Sequence, residues 1–376
     1  MKAMINAKIV TSKRVLEGYS LLFDRKIVKI SKEIPKNIKI IDAKGLYLSS
    51  GFIDLHIHGS NGADIMDSTK ESLEIISKSL IKSGVTSFLA TTMTSSKENI
   101  KKALENIKLN SKDINGAKIL GVHLEGPFIN SKKSGAQNPK YIQKPNINLI
   151  KDYLDIIKII TIAPEIKGAK ELIKEVKRDY PNLIFSIGHT IADYKEAKES
   201  FNWGVTHATH LFNAMGKMHH REPSSTEAIL DDSRVSCELI ADNIHLHPIY
   251  YSLAYKLKRD KLILITDAIR ATCLKGGVYE LAGQRVFVNN KRATLENGVL
   301  AGSILKLNEA LKNFYNSVDI TLPNLINLVT LNPAKILNLK LGKLEKDFPA
   351  DIVLFDKDFN IKASFIDGEE RLNSLS

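Results

Sequence analysis

Only two cysteines, Cys237 and Cys273, occur in 376 residues. Two thiols in or near strand-like stretches exclude a disulfide framework and fit a reducing cytoplasm. No apolar run approaches the roughly 20 residues a membrane span needs, so no membrane partner is expected. Met1-Lys2-Ala3-Met4 leads straight into alternating, strand-like sequence, without the apolar core and cleavage site of a secretory signal. The expectation is a soluble, cytoplasmic protein. Internal repeats and low-complexity tracts are also missing. The formal charge is +12, yet no helix-turn-helix pattern or aromatic-studded basic strand accompanies it. Lysines alternate with glutamates along helical segments such as 167–177, as on solvated faces. Nucleic acid is therefore not an expected partner, while a positive field suits a small anionic substrate.

What is present is a rhythm of short apolar runs alternating with helical periodicity from 49 to 341. Strands are expected at 51–58, 87–93, 119–125, 156–163, 184–189, 206–212, 235–240 and 262–266. Helical patterns lie at 70–83, 96–109, 169–179, 193–203 and 248–258, with 303–316 and 322–334 completing an outer ring. Short strands that are apolar throughout belong to a parallel sheet covered on both faces. Eight of them favour an α/β fold built as a closed (β/α)8 TIM-like barrel. A doubly wound sheet would need a phosphate-cradling glycine loop after its first strand, and that strand ends instead in His56-Ile57-His58.

Both ends of the chain read as short strands, at 7–10, 19–24, 26–30 and 38–42, then at 350–356 and 361–366. Neither set makes a core alone. The two are expected to pair into a small β-sandwich domain from residues 1–48 plus 342–376, leaving 49–341 as the barrel. Stretches 130–145 and 276–302, with their glycine, asparagine and proline, are expected as loops covering a site.

In a strand His56 and His58 point to one face. Two imidazoles there are able to hold a transition metal, or equally to be satisfied structural groups. Reactive groups of such barrels gather at the C-terminal ends of the strands. That rule adds Glu125, His189, His207, His210, Asp242, His245 and Asp267. Each alone has a structural alternative, as a cap, a turn residue or a core histidine; sharing one barrel mouth, they point to a metal site. His123 shares the face of Glu125 and is either a group behind the ligands or a packed barrel residue. His207, three positions before His210, is expected to face away and be structural. Thr190 is a candidate cap for the next helix.

The local contexts are more specific. His123-Leu124-Glu125-Gly126-Pro127-Phe128, Gly188-His189-Thr190 and Thr209-His210-Leu211-Phe212-Asn213-Ala214-Met215 resemble the N-acetylglucosamine-6-phosphate deacetylase family of the amidohydrolase superfamily. Arg221-Glu222-Pro223, Thr266-Asp267-Ala268 and Leu300-Ala301-Gly302-Ser303 fit the same family, in the same order, across essentially the whole chain. The resemblance implies hydrolysis of the N-acetyl amide of a phosphorylated amino sugar. It implies Glu125, His189 and His210 as main metal ligands, Asp267 as catalytic acid/base, and His245 as the contact to the acetyl carbonyl. It implies sugar-phosphate contacts from Ala136, Asn213, Ala214, Leu300, Ala301 and Gly302. Arg221 would bind phosphate and reach the neighbouring subunit's site, so a homodimer is expected.

With His56 and His58 intact, the cofactor implied is one or two divalent ions (Zn, Mn, Fe or Co) per subunit, Glu125 bridging if there are two. The fourth strand runs into Ala163-Pro164-Glu165 and offers no lysine to carboxylate. Such an ion would make hydroxide available near neutral pH, Asp267 would take and return a proton, and His245 would stabilise the oxyanion. The alternatives are a related substrate, such as N-acetylgalactosamine 6-phosphate or an N-acyl amino acid, or a barrel that has lost catalysis and serves as a binding protein. Arg221 has a further alternative as a surface ion-pair partner, and 301–303 as a plain turn and cap. Ser50, Asn243, Ser224 and Gln137 depart from the common family pattern. The first three bear on turn geometry. Gln137, where histidine is common, bears on a polar contact to substrate and so on sugar preference.

Overall fold

The computed structural model describes residues 1–289 and 291–375. Eight strands carry the architecture: β1 (Phe52–Ile57), β2 (Val85–Thr92), β3 (Lys118–Glu125), β4 (Ile157–Ile162), β5 (Ile184–Ile187), β6 (Val205–Ala208), β7 (Ser236–Ile240) and β8 (Leu262–Ile265). They lie side by side in chain order, and every pair is parallel. The ends meet where the Asp267 N–H donates to the His56 carbonyl and the His58 N–H to the Ala268 carbonyl, both at 2.9 Å. That closes the barrel.

A helix follows each strand: α1 (Lys70–Ile81), α2 (Lys97–Asn110), α3 (Ile147–Ile150), α4 (Ala169–Asp179), α5 (Tyr194–Trp203), α6 (Ser225–Asp231), α7 (Ile249–Lys258) and α8 (Leu307–Tyr315). Sequence sets their starts. Thr69 and Ser96 accept from backbone N–H groups of the first turns of α1 and α2. Asp193 with Glu196 and Ser224 with Glu227 form reciprocal capping boxes on α5 and α6. Thr190 is therefore not the cap of α5; its hydroxyl accepts from the Ala192 N–H and donates to Glu165. Along α1, Leu73, Ile76 and Leu80 recur at helical spacing and are buried against the sheet. Of the strands between, Val85–Thr92 is buried from end to end, while Lys118–Glu125 is buried over its C-terminal part. Burying each such Leu, Ile, Val or Phe contributes about 1.5–3 kcal/mol.

The two chain ends build two further sheets. One orders Ile27–Ser31, Ser20–Phe23, Lys2–Ile5 and Lys39–Asp42. The other orders Glu369–Asn373, Ile361–Ile366, Ile352–Phe355, Tyr47–Ser50, Lys8–Val10 and Val15–Leu16. Met4, Leu21 and Phe23 pack with Ile352, Leu354 and Phe365 in a core separate from the barrel's. Tyr47–Ser50 pairs antiparallel with Ile352–Phe355, and the chain enters β1 immediately afterwards. Gly51 makes the passage: a Cβ there would lie 2.0 Å from Thr86 Oγ1.

Two further expectations are corrected. The stretch 276–302 is not a plain loop but a three-stranded antiparallel flap of Gly277–Leu281, Gln284–Asn289 and Arg292–Leu295; residue 290 lies outside the described residues. Val286 and Val288 face inward at the strand period, and Ala282 and Gly283, both at positive φ, make the two-residue turn. The sixth strand ends at Ala208, not 212.

Cys237 lies in β7, fully buried, and burial pushes its thiol up to about 12; Cys273 is exposed. Thiolate, not thiol, is the reactive form. Titration of the native protein with a thiol reagent should therefore count one fast thiol, and two after denaturation. Two fast thiols in the native state would contradict this packing.

Candidate metal centre and active site

The side chains meet at the C-terminal mouth of the barrel, and the route there is a repeated local device. His189, His210 and Asp267 each lie two residues beyond the end of β5, β6 and β8. All three have positive φ, at 47°, 30° and 51°. Non-glycine residues held there cost on the order of 1–3 kcal/mol each, a strain characteristic of functional sites. The left-handed step turns each side chain back over the mouth. His56 arrives on β1 and His58 immediately after its end, and Glu125 is the last residue of β3.

The donor set is dense. Glu125 Oε1 lies 3.1 Å from His189 Nε2 and 3.0 Å from His210 Nε2, and those two nitrogens are 3.1 Å apart. On the other side His58 Nε2 is 3.2 Å from Glu125 Oε2, from Asp267 Oδ1 and from His56 Nε2. His56 Nε2 is 3.5 Å from Glu125 Oε1 and 3.4 Å from Asp267 Oδ1. Tetrahedral zinc with arms of 2.0–2.1 Å has ligand–ligand edges of roughly 3.3–3.4 Å. The spacing fits a divalent cation.

Tautomers reinforce the fit. His56 Nδ1 donates to Glu238 Oε2 at 2.9 Å, His58 Nδ1 to the Thr91 carbonyl at 3.2 Å, and His189 Nδ1 to the Lys133 carbonyl at 2.7 Å. Those partners only accept. In the neutral rings each Nε2 is then a lone pair aimed at the other lone pairs. None of these three nitrogens donates, so beside the carboxylates they call for positive charge at the centre. The same demand appears as proton affinity. Burial opposes protonation, but Glu125, Glu238 and Asp267 hold His56 well above its usual value, and hydrogen bonds to Asp267 and Glu125 push His58 up to about 9. Glu125 and Asp267 are correspondingly held low by the histidines, against burial.

Beneath the mouth the barrel interior is polar. Glu238 on β7 is fully buried and carries His56, His207 Nε2 at 3.3 Å and the His210 N–H at 3.1 Å. Burial would favour its neutral acid, but His56 and the hydrogen bond from His207 keep it well below the usual carboxylate range. His207 is structural, as expected, but it faces inward: the strand ends at Ala208, so the three-residue parity to His210 does not apply. His123 Nδ1 donates to the Leu55 carbonyl and Nε2 meets Thr161 Oγ1 at 2.7 Å. Burial and neighbouring His56 push it down to about 3, so it is a neutral barrel residue. Asp54, also fully buried, ties β1 to β8 through Thr266 Oγ1 at 2.6 Å, and burial pushes it up to about 7. Sequence reasoning missed Glu238 and Asp54. The one signal was a lone acid inside an otherwise apolar strand.

Above the ligands is a cavity of about 360 Å³, of a size for a small metabolite. Ala136, Asn213, Ala214, Leu300 and Gly302 line it, with Lys132 and Lys133. Ala301 does not; it is buried in the flap's core. Gly302 is required, since a Cβ would lie 2.6 Å from Ile269 and 2.9 Å from the Asp267 carbonyl. His245 faces the cavity with Nδ1 donating to Asp242 Oδ2 at 2.7 Å. Burial alone would lower its pKa, but Asp242 raises it, favouring a ring that donates from Nε2. Arg221 is not brought to this cavity: it sits on an exposed loop, Nη1 2.8 Å from His220 Nε2. Glu165 beyond β4 is spent on Asn130, Thr190 and the Ile191 N–H. Gln137 hydrogen-bonds to Glu125 itself.

The amidohydrolase family model matches residues 47–371. The N-acetylglucosamine-6-phosphate deacetylase of Bacillus subtilis (strain 168) is 40% identical over 368 residues, covering 94% of this chain and 92% of that protein. The crystal structure of N-acetylglucosamine-6-phosphate deacetylase from Pasteurella multocida superposes with a TM-score of 0.94 at 31% identity, over 99% of this chain and 100% of that one. A point mutant of the Mycobacterium smegmatis enzyme in complex with N-acetyl-D-glucosamine-6-phosphate gives 0.92 at 26%, over 99% of each chain.

Glu238→Gln keeps the shape but removes the charge behind His56. Loss of such a partner typically weakens metal binding about 10–100-fold. Chelator-competition titration of the folded variant should show a loss in that range; wild-type affinity would mean that Glu238 does not act on the cation.

Proposed function

This chain belongs to the N-acetylglucosamine-6-phosphate deacetylase group of the amidohydrolase family, and from that premise we propose that it hydrolyses N-acetyl-D-glucosamine 6-phosphate to D-glucosamine 6-phosphate and acetate. The observation that carries the reading is the convergence of Glu125, His189, His210, His56 and His58 beside Asp267 under a cavity of metabolite size.

Glu125, His189 and His210 would hold one divalent cation (Zn, Mn, Fe or Co), and His56 and His58, sharing Glu125, a second. Such an ion lowers the pKa of bound water to about 7 and polarises an amide carbonyl. Asp267, anionic in the field of His56 and His58, accepts a proton from the attacking water and returns it to the departing sugar nitrogen. His245, steadied by Asp242, donates from Nε2 to the oxygen on which charge develops. Asn213, Ala214, Ala136 and the Leu300–Gly302 turn orient the sugar. The positioned groups leave no task for a serine or cysteine nucleophile.

Arg221, exposed and outside its own subunit's cavity, would serve the neighbouring site in a homodimer. A guanidinium fork matches phosphate oxygens. Residues 49–341 would carry the chemistry, with 1–48 and 342–376 as companion sandwich. Among the described residues no helix is long and apolar enough to cross a membrane, and a cytoplasmic, small-molecule role suits that.

Asp267→Asn should fold and keep its metal yet lose about 10²–10⁴-fold in turnover, read as acetate release with metal content measured on the same sample. Chelation should abolish activity, and Zn²⁺, Mn²⁺, Fe²⁺ or Co²⁺ should restore it. A fully active, metal-free protein would end the proposal. Arg221→Ala should raise KM for the phosphorylated sugar with little change for its dephosphorylated analogue. An equal effect on both would remove Arg221 from phosphate binding.

A further inference from the structure

Gln137, in the segment between β3 and α3, is 2% exposed. Its Oε1 accepts from the Thr94 backbone N–H at 2.7 Å and its Nε2 donates to Glu125 Oε2 at 2.6 Å. A backbone N–H only donates, so the amide has a single orientation and must present its NH₂ to Glu125. The two oxygens of Glu125 are thereby divided. Oε1 faces the His189–His210 pair, with His56 Nε2 farther off at 3.5 Å, while Oε2 is anchored by a neutral donor and faces His58. Thr94 is itself held against the Glu125–Gly126 turn: Gly126 has φ +75° and a Cβ there would lie 2.1 Å from Thr94 Oγ1. Residues 94, 126 and 137 form a closed brace around one carboxylate.

We propose that Gln137 is a positioning residue for the metal ligand Glu125, a neutral strut from the Thr94 backbone that keeps Oε1 on the His189–His210 side and so sets cation affinity there. The proposal rests on the metal reading above. The neutrality matters. A lysine at this position would supply the positive charge the cluster reserves for a cation, and a carboxylate would repel Glu125. An amide orients the oxygen without changing the charge count. An imidazole offers the same pairing, one nitrogen accepting and the other donating, and is the conservative replacement. A leucine offers neither.

Co²⁺ binding to the full-length apoprotein tests this, read by chelator competition and by the visible absorption of the bound ion. Wild type is expected to bind Co²⁺. Gln137→Leu should bind it about 10–100-fold more weakly with a shifted absorption band, and Gln137→His should restore both. Gln137→Met, which keeps the chain length, carries the expectation of the leucine variant should that one fail to fold. Wild-type affinity and absorption in the leucine or methionine variant, or no recovery with histidine, overturns the positioning role alone. A wild-type protein that binds no Co²⁺ overturns the metal reading, and this proposal with it.

Discussion

The constraint on which the structure turns is the mutual exposure of lone pairs at the barrel mouth. Four imidazole nitrogens and the oxygens of Glu125 and Asp267 stand 3.0–3.5 Å from their neighbours in the cluster, and in the neutral rings of His56, His58 and His189 the inward nitrogen has no hydrogen to give. Such a cluster repels itself unless a positive charge occupies it. The surrounding protein is spent on keeping it in place. Nδ1 donors are pinned to Glu238, Thr91 and Lys133, Oε2 of Glu125 is braced by Gln137, and Asp54 locks the strand that carries His56 and leads into His58.

Barrel closure and site assembly are one event. The hydrogen bond that joins the last strand to the first runs from the Asp267 N–H to the His56 carbonyl, so the proposed acid/base and a proposed ligand are set by the same backbone contact. Positive φ at His189, His210 and Asp267 stores strain that the buried strands below them outweigh. Chemistry resides where local conformational preference is overruled, and the buried strands hold the residues there.

The polar barrel interior qualifies the picture of a packed apolar core. His123, Thr161, Thr209 and Ser186 form a hydrogen-bonded run across adjacent strands, and His207 with Glu238 continues the polar lining on the other side. Each group is satisfied by a partner from another barrel segment, which is what makes its burial tolerable. Glu238 is the member that matters electrically, since it adds a third buried carboxylate beneath a site that invites cations.

Much was legible before any coordinates. Period and run length marked the eight strands, because a parallel strand covered on both faces must be apolar throughout, and the His-x-His of β1 announced its shared face. The ligand residues stood out because polar groups at strand ends have one common destination in a closed barrel. What local pattern did not disclose depends on pairing between distant segments. The flap at 277–295 went unrecognised although Ala282-Gly283 carries a hairpin turn. The inward face of His207 depends on where β6 stops. Glu238 acquires meaning only from His56 on a strand far away in the chain. Gln137 lines the cavity and also bears on the metal ligand, because Thr94 fixes which end of its amide meets Glu125. Spacing and composition thus determined the barrel and the identity of its reactive groups. Tertiary structure alone decided which nitrogen of each ring is free, which oxygen of Glu125 is braced, and that Arg221 lies outside its own cavity, because hydrogen-bond direction and distance belong to pairs of residues and not to any one stretch of sequence.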